Sequence, residues 1–208
     1  MFFEVFLIAL LAGISPGPDF FLVMKNSLGY GRRIGIASAL GIATALIVHS
    51  SYTILGLAII IQNYHTIFQI IQISGAGYLA YLGISSIIST FSESKLELAV
   101  TGELSECKSF FYGFKNGFLC NILNPKAFVF FLSVFSQFMS PESLSWTKWI
   151  YGLEVVLVIG LWFVLLSVVI SSRIFRNLYK KSHKWFERLF GGILIFFAYR
   201  ICKSALTK

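Results

Sequence analysis

Charge is what this sequence most conspicuously lacks. Only 12% of its 208 residues are Asp, Glu, Lys or Arg, about half of the ~25% that covers the surface of a soluble domain. Acidic residues are the scarcer kind, 9 against 17 basic, while 57% of the chain is hydrophobic. With a mean hydropathy of +0.80, the composition excludes a water-soluble globule and requires most of the chain to lie in a bilayer. Cysteine is sparse too. There are three, an odd number, and Cys120 and Cys202 stand in apolar stretches, which excludes a disulfide framework and leaves them as reduced structural residues. Three scattered histidines supply too few ligands for a ready metal site. No nucleophile with its base marks an enzyme, and nothing calls for a cofactor.

What is present is a series of long apolar runs, near 2–24, 36–61, 67–90, 114–139, 148–171 and 188–205. At about 20 residues per crossing, they predict an all-α integral membrane protein of about six transmembrane helices in a single domain, 1–208. The polar patch Gln62-Asn63-Tyr64-His65 predicts a short hinge and an antiparallel hairpin of the second and third spans. Lys and Arg set the orientation, because cytoplasmic loops are enriched in them. Loops 25–35, 91–113 and 172–188 lie on one side and, with Lys115, hold twelve; the other side holds Lys148, Arg200, Lys203 and Lys208. Twelve against four predicts those three loops to be cytoplasmic and both termini outside, with an uncleaved first span carrying Glu4 before its apolar run. The basic stretch Arg173–Arg188 reads as an orientation signal and a partner for anionic lipid headgroups, not as a nucleic-acid surface.

Proline is the other scarce residue, and its placement is informative. Of four in the chain, Pro141 follows the fourth span; the rest interrupt two spans, at Ser15-Pro16-Gly17-Pro18-Asp19 in the first and Asn124-Pro125-Lys126-Ala127 in the fourth. Pro16 and Pro125 stand 109 positions apart, about half the chain, an offset of three spans. That is the trace of two inverted three-helix repeats, about 1–90 and 114–208, separated by the polar loop 91–113 and with broken helices 1 and 4. Ser15 before Pro16, and Asn124 before Pro125, each read as an N-cap followed by proline at the first helical position. A helix restarting at mid-membrane leaves unpaired N–H groups and a positive dipole end there. These ends must face protein, water or a ligand instead of lipid, and an anionic group suits them. The plainer alternative is that proline merely kinks each span.

At these residues the chain resembles the LysE/RhtB family of amino-acid exporters. The resemblance rests on Ile14-Ser15-Pro16-Gly17-Pro18-Asp19, the spaced Gly29, Gly35 and Gly41, and Gly77-Tyr78-Leu79-Ala80-Tyr81-Leu82-Gly83. In the second half it rests on Phe111-Tyr112-Gly113-Phe114, Asn121-Ile122-Leu123-Asn124-Pro125-Lys126-Ala127, Phe130-Phe131 and Gln137-Phe138. Ser136 departs from the pattern where family members often carry proline. The resemblance implies a small bacterial inner-membrane protein that exports amino acids or close analogues, of the homoserine, threonine, leucine-like or lysine type, in exchange for protons.

Ionisable residues within spans are costly and usually line a pathway. Asp19 and Lys126 stand at nearly equivalent places in the two halves, so a zwitterionic amino acid is expected to insert between them, its ammonium at Asp19 and its carboxylate at Lys126 and the half-helix N-termini. Ser15, Pro16, Gly17, Pro18, Asn124 and Pro125 complete the expected substrate site; a purely structural Asp19–Lys126 ion pair is the competing reading. For proton coupling the candidates are Asp19, His49 near the middle of the second span, and Glu154 in the fifth. A structural His49 bonded to Ser50, Ser51 or a backbone carbonyl competes with that role. Ala37, Gly41 and Ala45, and Gly113 and Gly117, recur at intervals of four, as at close helix contacts. A divalent-cation exporter and a non-transporting membrane scaffold remain as alternatives, and a homodimer stays open.

Overall fold

A computed structural model of the chain describes residues 2–15, 17–89, 108–138 and 145–170, with further positions between 185 and 203. Pro16, the expected loop residues 91–107 and the basic stretch 171–184 lie outside the described residues. Among the described residues all regular structure is helical. In chain order the helices are α1 (Phe2–Ile14), α2 (Pro18–Tyr30), α3 (Arg32–Asn63), α4 (His65–Ser89), α5 (Phe110–Ile122), α6 (Pro125–Phe138) and α7 (Ser145–Val169). Three of them are long and apolar enough to cross a membrane unaided, over Arg32–Leu57, Thr66–Ser85 and Trp146–Val169. The pairs α1–α2 and α5–α6 each reach that length only when taken together, bent by 56° and 59° at the two proline sites. This makes three to five candidate spans. Where a sixth is expected, the apolar helix Gly191–Arg200 is about half the ~20 residues that a crossing needs.

The link between α3 and α4 is tighter than the polar patch suggested. Gln62 and Asn63 stay helical, and Tyr64 alone joins the two helices, its N–H donating to the Ile60 carbonyl while its own carbonyl accepts from Phe68 at 3.0 Å. The expected hairpin is opened out: α4 packs chiefly on α6 and only lightly on α3. Small residues allow this, since a side chain at Gly75 of α4 would meet Ser133 of α6 at about 3 Å. At the other end of α3, Gly31 takes φ 89°, a left-handed conformation open to glycine at little cost, and the chain turns there from α2 into α3.

Helix α3 is the centre of the molecule, packed against α5, α7, α2 and α6. Its contact with α5 is the closest, and the small residues spaced four apart meet there. A Cβ on Gly41 would collide with the Phe114 carbonyl, one on Gly117 with the Ser38 carbonyl, and one on Gly113 would lie 2.6 Å from the Ile34 oxygen. The two backbones touch where side chains would normally stand, the geometry that small residues permit between membrane helices. Around this seam the buried core is aromatic and branched: Phe20, Met24, Ile42, Phe131, Leu166 and Ile170 are each almost fully enclosed. Outward faces carry Leu55, Ile59, Tyr81, Leu157 and Leu161, as a lipid-facing surface requires. Arg200 pairs with Glu4 at 3.0 Å, which ties the C-terminal helix to the start of α1.

Candidate functional site

Both breaks restart a helix, but not in the same way. At the second, Asn124 caps α6 as its sequence suggests: its side-chain Oδ1 accepts the Lys126 N–H at 3.0 Å, and its carbonyl accepts from Phe128 at 3.2 Å. At the first, the cap is Gly17, not Ser15. Gly17 is fully extended, with φ −157° and ψ −175°, and α2 begins at Pro18, the first intrahelical bond running from Phe21 N–H to the Gly17 carbonyl at 3.0 Å. The reason lies in the second proline: the residue before a proline is pushed out of the helical region, so a helix begun at Pro16 cannot continue through Gly17. Ser15 instead closes α1, its N–H donating to Leu11, and its side chain is left for another role.

That role is across the molecule. The Lys126 ammonium donates to Ser15 Oγ at 3.3 Å and lies against Gly17, where an added Cβ would stand 3.3 Å from Nζ. Asp19, in the first turn of α2, receives two side-chain amides at one carboxylate oxygen: Asn121 at 3.0 Å and Asn124 at 3.1 Å, both to Oδ2. Its other oxygen, Oδ1, is buried without a hydrogen-bond partner. Asp19, Lys126, Ser15, Gly17, Asn121 and Asn124 all line one cavity of about 50 Å³, room for a few water molecules. The rest of its wall is apolar and aromatic and includes Leu46, Phe130, Phe131, Ile159 and Phe163. Residues from α1, α2, α5 and α6, more than 100 positions apart in the chain, are thus brought to one point by the two breaks. The cavity lining also holds Pro18, whereas Pro16 lies outside the described residues.

Asn121 is a site residue that sequence reasoning missed. No local pattern singles it out, since α5 also carries Asn116, and only the fold brings Asn121 and Asn124 together on Asp19. Tyr52 was missed as well. His49 is buried at 1% exposure; its Nε2 is 3.1 Å from the Asn121 carbonyl, its Nδ1 meets the Tyr52 hydroxyl, and its ring stacks on Phe131 at 5.8 Å. The backbone-carbonyl partner foreseen for His49 is therefore real, but it belongs to α5, and through Asn121 it reaches the Asp19 carboxylate. Glu154 is not brought to this cluster. It stands on α7 one turn beyond Tyr151, whose ring packs on Phe2 of α1 at 4.8 Å, and its Oε2 is buried without a hydrogen-bond partner.

A protein-family model, the LysE type translocator, matches residues 10–204. The chain belongs to the LysE family. Members of this family are membrane transporters rather than enzymes, and several apolar helices, with two pairs bent at short breaks, fit a multi-pass transporter of that family. Among similar proteins, the uncharacterized membrane protein YrhP of Bacillus subtilis is 34% identical over 91% of this chain and 92% of its own. The threonine efflux protein of Salmonella typhi is 28% identical over 98% of both chains. The leucine efflux protein of Salmonella choleraesuis is 30% identical over 93% of this chain and 90% of its own. No solved structure matches the chain.

Proposed function

We propose that this LysE-family protein is an amino-acid efflux transporter of the bacterial inner membrane, exchanging a small amino acid for protons. The observation that carries the reading is the convergence of a carboxylate and an ammonium, Asp19 and Lys126, from two broken helices on one cavity. A zwitterion fits between them: its ammonium at the unpartnered Oδ1 of Asp19, its carboxylate at Lys126 and the N-terminal turn of α6. Each fixed charge is then compensated with the site empty or loaded, which limits the penalty of holding ions away from water. The similar bends, 56° and 59°, support two inverted halves rocking about this midpoint. The relatives named for threonine and leucine efflux support amino acids as the cargo, and the twelve-to-four division of Lys and Arg supports loops 25–35, 91–113 and 172–188 on the cytoplasmic side.

The wall chemistry narrows the substrate. Among the described residues, Asp19 and Lys126 are the only ionisable ones lining the cavity, and the zwitterion's α-groups use both. The remaining surface of Leu46, Phe130, Phe131, Ile159 and Phe163 offers no counter-charge to a second ammonium, so a neutral side chain of the homoserine, threonine or leucine type is accepted and lysine is rejected. At 50 Å³ the site is narrower than ordinary small-molecule pockets; loading opens it.

The test is efflux from cells that overproduce the protein and are preloaded with single radiolabelled amino acids. Threonine or leucine leaves faster than in control cells, lysine does not, and Lys126→Gln abolishes export while the protein still reaches the membrane. Normal export by Lys126→Gln overturns the proposed site.

A further inference from the structure

A second opening meets the same break from the other side. An open groove is lined by His49, Tyr52, Ile122, Leu123, Asn124 and Phe128, and it shares Asn124 with the charged cavity. Leu123 at its rim is 76% exposed, and Tyr52 and Phe128 stand in ring contact at 5.8 Å. The groove lies at the break between α5 and α6, where the Leu123 and Asn124 N–H groups still bond back to Leu119 and Asn121 but Pro125 has no N–H and the Lys126 N–H turns to the Asn124 side chain, leaving the Ile122 carbonyl without its helical donor. Non-helical backbone at membrane depth survives only inside protein or against water; this stretch is not enclosed, so the groove is wet.

From the groove inward the polar groups form a sequence: the Tyr52 hydroxyl, His49 Nδ1, His49 Nε2, the Asn121 carbonyl, and then the Asn121 amide on Asp19 Oδ2 at 3.0 Å. The partners suit both charge states of the imidazole. Neutral His49 donates from Nε2 to the Asn121 carbonyl and accepts the Tyr52 O–H at Nδ1. Protonated His49 keeps the first bond and donates from Nδ1 to the same phenolic oxygen, which accepts as well as it donates. A histidine held only for structure needs one tautomer; this one gains a proton without losing a bond.

We infer that His49 is the proton-binding residue of the exchange, charged from the groove through Tyr52 by a route separate from the substrate cavity. This deepens the proposed amino-acid exchange and rests on it. The Tyr52 hydroxyl passes its proton to Nδ1 and takes one from a hydronium ion in the groove, which leaves as water, so the phenol is regenerated and the imidazole gains one proton. Among the described residues the charged and titratable groups facing His49 are few: Asp19 of α2 through Asn121, with Lys126 and the Cys120 thiol beside that carboxylate, and the Tyr52 phenol on its own helix; Phe131 of α6 contributes only its ring. Asp19 is therefore the shared counter-ion of the imidazolium and of the substrate ammonium. Two cations at one carboxylate repel, so proton and amino acid displace each other, and by linkage each weakens the other's binding by the same factor.

Binding of threonine and of leucine to the purified protein in detergent, measured by calorimetry from about pH 8 to about pH 5.5, spans the ordinary histidine range. Affinity falls on acidification by at least about fivefold, in the range usual for coupled sites, and each binding event releases a proton into weak buffer. His49→Gln binds with little pH dependence and releases none. Tyr52→Phe, which keeps the ring against Phe128, retains the coupling but slows proton release, read by stopped-flow with a pH dye, by at least about fivefold. If His49→Gln keeps the wild-type pH dependence, or if a Tyr52→Phe protein releases its proton at the wild-type rate, the inference is overturned while the proposed function stands. If neither amino acid binds at any pH, both fall.

Discussion

At the scale of single residues, the site depends on how one carboxylate is held. Asp19 is gripped at Oδ2 by two amides, from Asn121 and Asn124, while Oδ1 is left for a ligand. Removing one amide loosens the grip without deleting the charge. Asn121→Ala loses a hydrogen bond to a charged group, worth about 1.5–3 kcal/mol, and substrate affinity is expected to fall by about tenfold or more in direct binding assays. Asn124→Ala loses the same kind of bond and the cap of α6 besides, worth about 1 kcal/mol, so it also lowers the melting temperature of the detergent-solubilised protein. Asn124 was legible in the sequence because capping is a local rule: amide, proline, helix. Asn121 was not, because its partner lies 102 positions away and no local pattern announces it. The misplaced first cap belongs between these cases. The rule that moves it from Ser15 to Gly17 is local, the effect of Pro18 on the residue before it, and the sequence carried it in plain view.

Helices α3 and α5 are joined by backbone contact more than by interlocking side chains. Gly41 and Gly117 bring α3 and α5 together, and there a methyl group has nowhere to go. Gly117→Leu is expected to prevent the two helices from closing, with the protein lost to aggregates in size-exclusion chromatography. Gly77→Ala on α4 is the control: nothing lies within 4 Å of an added Cβ, and it removes a flexible residue from a helix, so the protein should melt at the wild-type temperature or slightly above. The four-residue spacing of these small residues was readable in advance, and so was close contact as its meaning. Which helix each stripe would meet was not, since spacing gives a face and not its partner. The same limit explains the hairpin. A polar patch marks a place for a helix to stop, but α4 finds its packing on α6, a choice made by residues far from the turn.

For the whole molecule, the Glu4–Arg200 pair constrains the path of the chain. It puts the start of α1 and the end of the helix Gly191–Arg200 on one face. Single cysteines introduced at Phe3 and at Lys203 in a cysteine-free background should react with an impermeant maleimide from the same side of the membrane, and one at Arg33 from the other; labelling of Phe3 and Lys203 positions from opposite sides overturns that arrangement. Composition alone was enough to put the chain in a bilayer, and two prolines were enough to find where it would break. The convergence of the breaks depends on the packing of α3 against α2, α5, α6 and α7, which no window of sequence contains.

The glycine seam between α3 and α5 has a mechanical consequence. Surfaces that meet through backbone have no side chains to re-sort, so this pair behaves as a fulcrum while other contacts slide. The contacts of α1 with α7, where Trp162 lies over Gly13, and of α4 with α6 are the places left to give. Spin labels spanning α3 and α5 should keep their separation when substrate is added, and labels spanning α4 and α6 should not.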